Sequence, residues 1–413
     1  MRSKTTKKGI QILIGNGIYA LAGLASAAII IKKSSLEEYG TLVLLQAVFF
    51  TWSALTKPST WQAVVKFSAN HDLSIVANQS LSLETKTFWK TLAIIPLIAG
   101  MLNFLDYTEE LTSIIIASTL WCSLIINNGT VIGVLRTKEN YYNIALTQVL
   151  SSTQRIILAL LLGQHVELYF LATTLIDALL WGYLIRMHVT KPFNKKSNNI
   201  LCFDVKLFSS FSWWGTLHSA LDLPVMHLDK ILVMSLLGPA AAGALDLLKK
   251  VAQLPGQISA PANQIMLKKY SIFVQSKNID GIRKTTITSV IALLLIYSFG
   301  GLVFYYASSR LTTPDWLNLT KQFSAELNAY LILQCIALSM TWVHPLLIAL
   351  GKMRETSYAV ALANTVYILT IAVAAPQIGL SAVILAFGIQ SLSVIGIKIF
   401  IAYNEIKFGQ SKS

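Results

Sequence analysis

The chain has 413 residues, of which 54% are hydrophobic and only 13% are charged. Soluble chains carry roughly 25% charged residues, so this composition argues against a soluble protein. The formal net charge of +14 could by itself suggest a nucleic-acid partner, but the basic residues cluster in the polar stretches between apolar segments. We therefore expect no nucleic-acid partner and treat the lipid bilayer as the surroundings of most of the chain.

Twelve apolar segments, most of them about 20 residues long, fill the chain, and about 20 helical residues are needed to cross the hydrocarbon of a bilayer. Only helices and closed barrels satisfy their backbone groups in lipid, and these runs are too long and too uniformly apolar for barrel strands. The sequence predicts an all-α polytopic membrane protein. The predicted helices are 9–31, 39–66, 88–105, 111–133, 141–163, 167–187, 207–237, 241–267, 285–307, 326–350, 357–377 and 379–403.

Basic residues are distributed unevenly over the two sides of this arrangement. Of the 33 Lys and Arg residues, 25 lie in or near the terminal segments and alternate loops, whereas the opposite loops are short and acidic or neutral. Because basic loops stay in the cytoplasm, both termini are predicted to be cytoplasmic, in a bacterial inner membrane.

The two halves of the chain resemble each other when the sequence is shifted by 203 residues. Four identities appear at this offset: Gly40 with Gly243, Pro58 with Pro261, Lys66 with Lys269, and Ser68 with Ser271. The offset equals six helices, so both halves have the same orientation. Such repeats are related by a pseudo-two-fold axis along the membrane normal, with a substrate site between them. We predict a first six-helix lobe at 1–190, a cytoplasmic linker at 191–206 and a second six-helix lobe at 207–413.

Sequence signals for catalysis are absent. The chain has no Gly-x4-Gly-Lys-Ser/Thr phosphate loop and no spacing typical of metal ligands or a nucleophile, so we expect neither an enzyme nor a bound cofactor. A membrane glycosyltransferase or polymerase is an alternative, although such enzymes usually carry larger outer loops. A purely structural role is a further alternative, but it would not explain the polar residues inside the helices.

Polar and charged residues inside predicted helices are the most informative positions, because charge is costly in lipid and usually faces a cavity or a partner. Several of them recur at three- and four-residue steps, which places them on one face of a helix. The eighth helix carries Asp246, Lys249, Lys250, Gln253, Gln257 and Gln264; the fifth carries Gln148, Ser151, Ser152 and Arg155; the seventh carries Trp214, His218 and Asp222; Asp177 lies in the sixth and Lys57 in the second.

These positions contain more cations than anions, which favours an anionic substrate, and tryptophan faces suit sugar rings. The predicted substrate-binding residues are Lys57, Gln148, Arg155, Trp214, His218, Lys249, Lys250, Gln253 and Gln257. Arg155 is the strongest candidate, because guanidinium matches phosphate oxygens. Asp177 and Asp246 are candidates for proton coupling, because burial of a carboxyl group favours its neutral form.

Structural interpretations of the same residues also remain open. Asp246 and Lys250 are four residues apart and could form an ion pair within one helix. Asp229 and Lys230 could form an interfacial helix cap with a lysine that reaches toward the headgroups.

The stretch from His227 to Gly243, HLDKILVMSLLGPAAAG, resembles the seventh-to-eighth helix signature of Wzx-type polysaccharide-repeat flippases. The stretch from Ser35 to Gly40, SLEEYG, is similar to their first-to-second helix turn. The chain departs from this pattern where Ala244 follows Gly243, since the family often has tyrosine there, and it also lacks the Pro-Glu expected after the eighth helix.

The resemblance implies the multidrug/oligosaccharidyl-lipid/polysaccharide exporter fold. It also implies transport of an undecaprenyl-pyrophosphate-linked glycan to the periplasmic leaflet, for O-antigen or capsule assembly, in company with a polysaccharide polymerase and a chain-length regulator. A cation-coupled drug exporter of the same superfamily is the alternative, although such a protein would favour an acidic cavity.

Overall fold

A computed structural model of the chain describes residues 2–68, 71–104, 128–190, 204–254, 276–310 and 323–408, with some residues between 256 and 274. These residues form helices joined by short turns, and the described ranges contain no strand. Eight of the helices are long and apolar enough to cross a membrane. The predicted all-α membrane fold is confirmed.

The helices of the first half cover most of its described residues. They are α1 (Arg2–Lys33), α2 (Leu36–Thr56), α3 (Thr60–Phe67), α4 (Leu73–Phe104), α5 (Asn128–Thr137), α6 (Tyr141–Leu162), α7 (Val166–Ile185) and α8 (Val205–Leu221). A π-helical turn, Arg186–Thr190, follows α7. The predicted second helix is therefore two helices, because Pro58 interrupts it. Most of the predicted fourth helix, and most of the linker predicted at 191–206, lie outside the described residues.

The second half begins with a π-helical turn, Pro224–Leu228, that runs directly into the next helix. Its helices are α9 (Asp229–Leu237), α10 (Pro239–Gln253), α11 (Ile279–Arg310), α12 (Ser324–Ser339), α13 (Val343–Ala349), α14 (Met353–Ile378) and α15 (Ser381–Phe408). Gly238 separates α9 from α10 with φ of 88°, a conformation that favours glycine, and Pro239 then starts α10.

The chain divides into two compact units. The first contains Met1–Ser34 and Thr41–Leu223, and the second contains Ser35–Gly40 and Pro224–Ser413. Helix α8 belongs to the first unit, although the sequence-based division assigns it to the second lobe. The units follow packing, whereas the lobes follow the sequence repeat, and the lobe division stays a prediction.

Each unit has its own apolar core. In the first unit, α3, α4, α5 and α8 meet around Val64, Leu135 and Phe208, which are fully buried. In the second unit, a core around Tyr367 and Ile371 joins α9, α10, α12, α14 and α15. Leucine, isoleucine and phenylalanine side chains remain on the outer faces of the spans, as expected for helices that meet lipid.

Two glycines related by the sequence repeat make a reciprocal contact inside the second unit. A Cβ atom on Gly40 would lie 1.9 Å from the carbonyl oxygen of Pro239. A Cβ atom on Gly243 would lie 2.8 Å from the carbonyl oxygen of Leu36. Leu36 and Pro239 are also separated by the repeat offset of 203. Gly40 thus meets Pro239, and Gly243 meets Leu36, which the repeat offset makes equivalent to Pro239. Such an exchange of partners is the pattern of a two-fold contact. Glycine is needed because the backbones approach so closely.

We expect Gly40→Ala to destabilise the protein by about 1–3 kcal/mol, because the added methyl group would push α2 away from a backbone atom. Gly23→Ala is the matched control, since a Cβ atom there meets nothing within 4 Å. Thermal unfolding of the detergent-solubilised protein would measure both. Equal midpoints for the two variants would contradict the close contact.

Candidate functional site

Two aspartates and three lysines of the second unit form a buried ionic network on α9 and α10. Asp229 and Lys230 begin α9, and Asp246, Lys249 and Lys250 lie along α10. The polar face predicted for the eighth helix thus meets charges from the preceding helix. The tight turn at Gly238 folds α9 back beside α10, which brings these residues together.

Asp229 and Lys249 form the most deeply buried pair of this network. The Lys249 ammonium contacts Oδ2 of Asp229, and their side chains are 3% and 0% exposed. Lys249 also donates to the carbonyl oxygen of Val225 at 2.6 Å, in the π-helical turn before α9. Tyr367 of α14 donates its hydroxyl hydrogen to Oδ2 of Asp229 at 2.6 Å. The pair and its hydrogen bonds therefore join the π-helical turn, α9, α10 and α14.

This geometry corrects one sequence-based interpretation. Asp229 and Lys230 are not an interfacial cap with a lysine that reaches the headgroups, because Asp229 is fully buried and Lys230 turns toward Asp246. The physical reason is charge compensation: in a medium without water, each charged group is most stable beside an opposite charge. Lys249, expected to contact the substrate, donates to Asp229 and Val225 instead, and its role in binding stays a prediction.

Asp246 is the centre of the second ionic contact. It accepts hydrogen bonds from Lys230 at 2.6 Å, from Tyr39 at 2.5 Å and from Lys250. Lys250 also donates to the Tyr39 hydroxyl oxygen at 2.7 Å. The structure thus contains the ion pair within α10 that one interpretation of the sequence foresaw. Here two ammonium groups share one carboxylate, so the Asp246 cluster, defined as Tyr39, Lys230, Asp246 and Lys250, carries one excess positive charge.

The first unit contains a separate pair between α6 and α7. Arg155 donates from Nη2 to Oδ2 of Asp177 at 3.1 Å, and its guanidinium lies 4.6 Å from the ring centre of Tyr19. Oδ1 of Asp177 accepts from Ser151 at 2.5 Å and from Gln154 at 2.7 Å. The two residues were predicted to act separately, one on the anion and one on the proton. The structure pairs them, and both roles stay predictions.

The other predicted substrate-binding residues lie in different environments. Gln148 donates to Asn16 at 2.8 Å, whereas Gln253 is exposed and Trp214 is 66% exposed. Lys57 contacts the side-chain oxygen of Asn128. Gln257 and the side chain of His218 lie outside the described residues. The structure therefore brings Asp246, Lys249 and Lys250 together with residues that the prediction did not include.

The sequence-based prediction did not include Tyr39, Tyr367 or, in the first unit, Glu84. Tyr39 lies in the SLEEYG stretch, but nothing in the sequence reveals that it meets a residue 207 positions away. Tyr367 lies in the middle of an apolar helix, and Tyr is common in such segments. Glu84 is fully buried. The predicted third helix begins only at residue 88, whereas α4 begins at Leu73 and includes Glu84.

The two ion pairs and the Asp246 cluster differ in net charge. Arg155 and Asp177 neutralise each other, and so do Lys249 and Asp229. The Asp246 cluster retains its excess charge, and the Lys250 side chain is 28% exposed. A partly exposed ammonium next to an already shared carboxylate can attract an anion, so this cluster is the best-supported part of the candidate site.

Comparison with known proteins gives a match in fold. No family model and no curated protein matches the chain. The solved structure of an inward-facing multidrug resistance MATE family transporter of the MOP superfamily is 14% identical, with a TM-score of 0.67, over 98% of this chain and 96% of that one. A MATE in complex with MaD3S is 15% identical, with a TM-score of 0.69, over 99% and 96%.

A third similar structure is a MOP superfamily transporter from Pyrococcus furiosus Vc1 (DSM3638). It is 12% identical, with a TM-score of 0.64, over 98% of this chain and 95% of that one. The chain has the fold of the MOP transporters. The MOP fold contains twelve membrane helices in two bundles, which confirms the predicted fold class.

We expect single substitutions in the Asp229–Lys249 pair to be severely destabilising and the double substitution to recover much of the loss. Asp229→Asn leaves a buried ammonium group without its counter-charge, and Lys249→Met leaves a buried carboxylate, each at a cost of about 3–5 kcal/mol. Denaturant-induced unfolding of the two single variants and the double variant would give the coupling energy. Strictly additive effects would contradict a direct ion pair. Gln253→Met, at an exposed position of α10, is the control.

Proposed function

We propose that this protein is a secondary transporter that moves an anionic, lipid-linked oligosaccharide across the bacterial inner membrane by alternating access. The observation that carries this proposal is the excess positive charge of the Asp246 cluster within apolar helices. Charge at such positions is costly in lipid, so a cluster in which two ammonium groups share one carboxylate is expected to have a function. The pyrophosphate of an undecaprenyl-pyrophosphate-linked glycan supplies the complementary charge.

The MOP fold supports transport in a general sense, because it suits alternating access in two bundles. The resemblance of the HLDKILVMSLLGPAAAG stretch to Wzx-type flippases supports a polysaccharide substrate. In the Pyrococcus transporter, the reverse polarity of the binding pocket suggests a different function. Pocket polarity therefore varies within this fold, and a basic site is compatible with it.

Export of a drug-like small molecule is the second candidate function. It is favoured by the fold similarity, since one of the compared structures is a multidrug resistance transporter. A cationic drug would be repelled by the Asp246 cluster, so this candidate requires a neutral or anionic compound. The two functions differ in the cell phenotype that they predict.

We expect deletion of the gene to abolish surface polysaccharide while lipid-linked repeat units still accumulate on the cytoplasmic face. Flipping precedes polymerisation, so the units would be made but not used. Silver-stained gels of surface polymer and extraction of the lipid-linked units measure both quantities. Unchanged polymer together with increased sensitivity to antimicrobial compounds would favour the drug exporter and contradict the polysaccharide function.

Lys250→Met should reduce export without unfolding the protein, because Asp246 keeps Lys230 and Tyr39 as partners. A charge-assisted hydrogen bond contributes about 1.5–3 kcal/mol, so substrate affinity should fall by roughly 10- to 150-fold. Lys32→Met, an exposed lysine at the end of α1, is the matched control. Polymer level at equal membrane abundance is the readout. Wild-type export by Lys250→Met would contradict a role of the Asp246 cluster in substrate binding.

A further inference from the structure

The interruption of the second predicted helix creates a polar region inside the first unit. Helix α2 ends at Thr56 and α3 begins at Thr60, with Pro58 between them. The backbone N–H of Ser59 donates to Oγ1 of Thr216 at 3.0 Å, and Thr216 donates to the carbonyl oxygen of Lys57 at 3.2 Å. Helix α8 therefore supplies partners for backbone groups that the break releases.

Glu84 of α4 lies beside this break and is fully buried. Its Oε1 accepts the backbone N–H of Thr130 at 2.8 Å and contacts Oγ1 of Thr60. Its Oε2 accepts the hydroxyl hydrogen of Thr130 at 2.7 Å. One carboxyl group thus joins the start of α3, the middle of α4 and the start of α5.

The packing around Glu84 leaves little room for water. Gly129 and Gly133 of α5 form a Gly-x3-Gly pair that lets α5 approach α3 closely. A Cβ atom on Gly129 would lie 2.2 Å from Oγ1 of Thr60 and 2.8 Å from Oε1 of Glu84. A Cβ atom on Gly133 would lie 2.6 Å from Cβ of Val64. The carboxyl group is therefore enclosed by protein atoms.

The donors to Glu84 distinguish it from Asp177, Asp229 and Asp246. Asp177, Asp229 and Asp246 each accept a hydrogen bond from a guanidinium or ammonium group. Among the residues that the structure describes, the donors to Glu84 are two hydroxyls and one backbone amide. A proton can therefore be added to Glu84 without breaking an ion pair of the kind that holds each aspartate.

The helices packed around Glu84 carry several charged side chains. Lys57, at the helix break, is the cation that acts on the carboxyl group electrostatically, and its ammonium also contacts Asn128. Lys66 of α3 lies 4.0 Å from the Phe211 ring centre, and Arg136 of α5 lies 4.0 Å from that of Trp61. Lys86 and Lys90 of α4 and Lys206 of α8 are exposed. The charge of Glu84 is thus opposed chiefly by one lysine at the break.

We propose that Glu84 reversibly binds a proton during the transport cycle. This proposal rests on the proposed function and names the residue that carries the coupling proton. A proton that enters from the aqueous phase joins Oε1, and the new O–H group donates to Oγ1 of Thr60, whose hydroxyl changes from donor to acceptor. Threonine hydroxyls serve in either role. The neutral carboxyl is a weaker acceptor for Thr130, so protonation loosens the joint between α3 and α5 beside the helix break.

Infrared difference spectroscopy of the full chain reconstituted in lipid tests this proposal without any substrate. Spectra are compared between acidic and alkaline buffer. We expect the wild type to show a C=O band of a protonated, buried carboxyl group that is lost in Glu84→Gln. Asp177→Asn, which removes an ion-paired carboxylate, is the matched control and should keep the band.

Thr60→Val provides a second measurement if Glu84→Gln does not fold. Loss of the hydroxyl partner should shift the band to higher frequency while its pH dependence remains. The proposal is overturned if the band survives in Glu84→Gln, is lost in Asp177→Asn instead, or is unmoved in Thr60→Val. If the Glu84 band is present but deletion of the gene leaves surface polymer intact, the proposed function is wrong and the proton site stands.

Discussion

The scarcity of water inside the bilayer is the constraint on which the rest of this structure depends. Each buried charge has to meet its partner within the protein, because removing an ion from water without compensation is costly. The Asp229–Lys249 pair shows this constraint most clearly, since both side chains are nearly inaccessible. The π-helical turn presents the Val225 carbonyl to Lys249, and α14 contributes the Tyr367 hydroxyl to Asp229. Irregular backbone at Pro224 and at Pro58 is tolerated where polar partners surround it.

Charge compensation also separates the ion pairs that hold the fold from the cluster that we propose acts on a substrate. Arg155 and Lys249 were the strongest sequence-based candidates for anion binding, yet each is partnered by an aspartate. The Asp246 cluster has one more ammonium group than carboxylate groups, and it includes the partly exposed Lys250. A site that binds and releases an anion needs such an imbalance, because a fully neutralised pair offers little net attraction.

The fold was largely predictable from the sequence, whereas the site was predictable only in part. The length of the apolar segments predicts the helices, and the two glycines that the repeat offset of 203 aligns, Gly40 and Gly243, each approach a backbone closely. Asp246 and Lys250 could be paired because they are one helical turn apart. The pairing of Lys249 with Asp229 could not, since it depends on the turn at Gly238 and on the helix irregularity at Pro224. Glu84 was overlooked because its helix begins well before the apolar segment.

The most direct measurement is transport by the purified protein in proteoliposomes that contain a fluorescent, pyrophosphate-linked oligosaccharide lipid. A membrane-impermeant quencher reports the lipid that reaches the outer leaflet. We expect the protein to increase the quenched fraction above that of protein-free vesicles, and to do so much faster than for a neutral lipid-linked glycan without the pyrophosphate. Equal rates for the anionic and the neutral lipid, or no increase for either, would contradict the assignment of the basic cluster to anion transport.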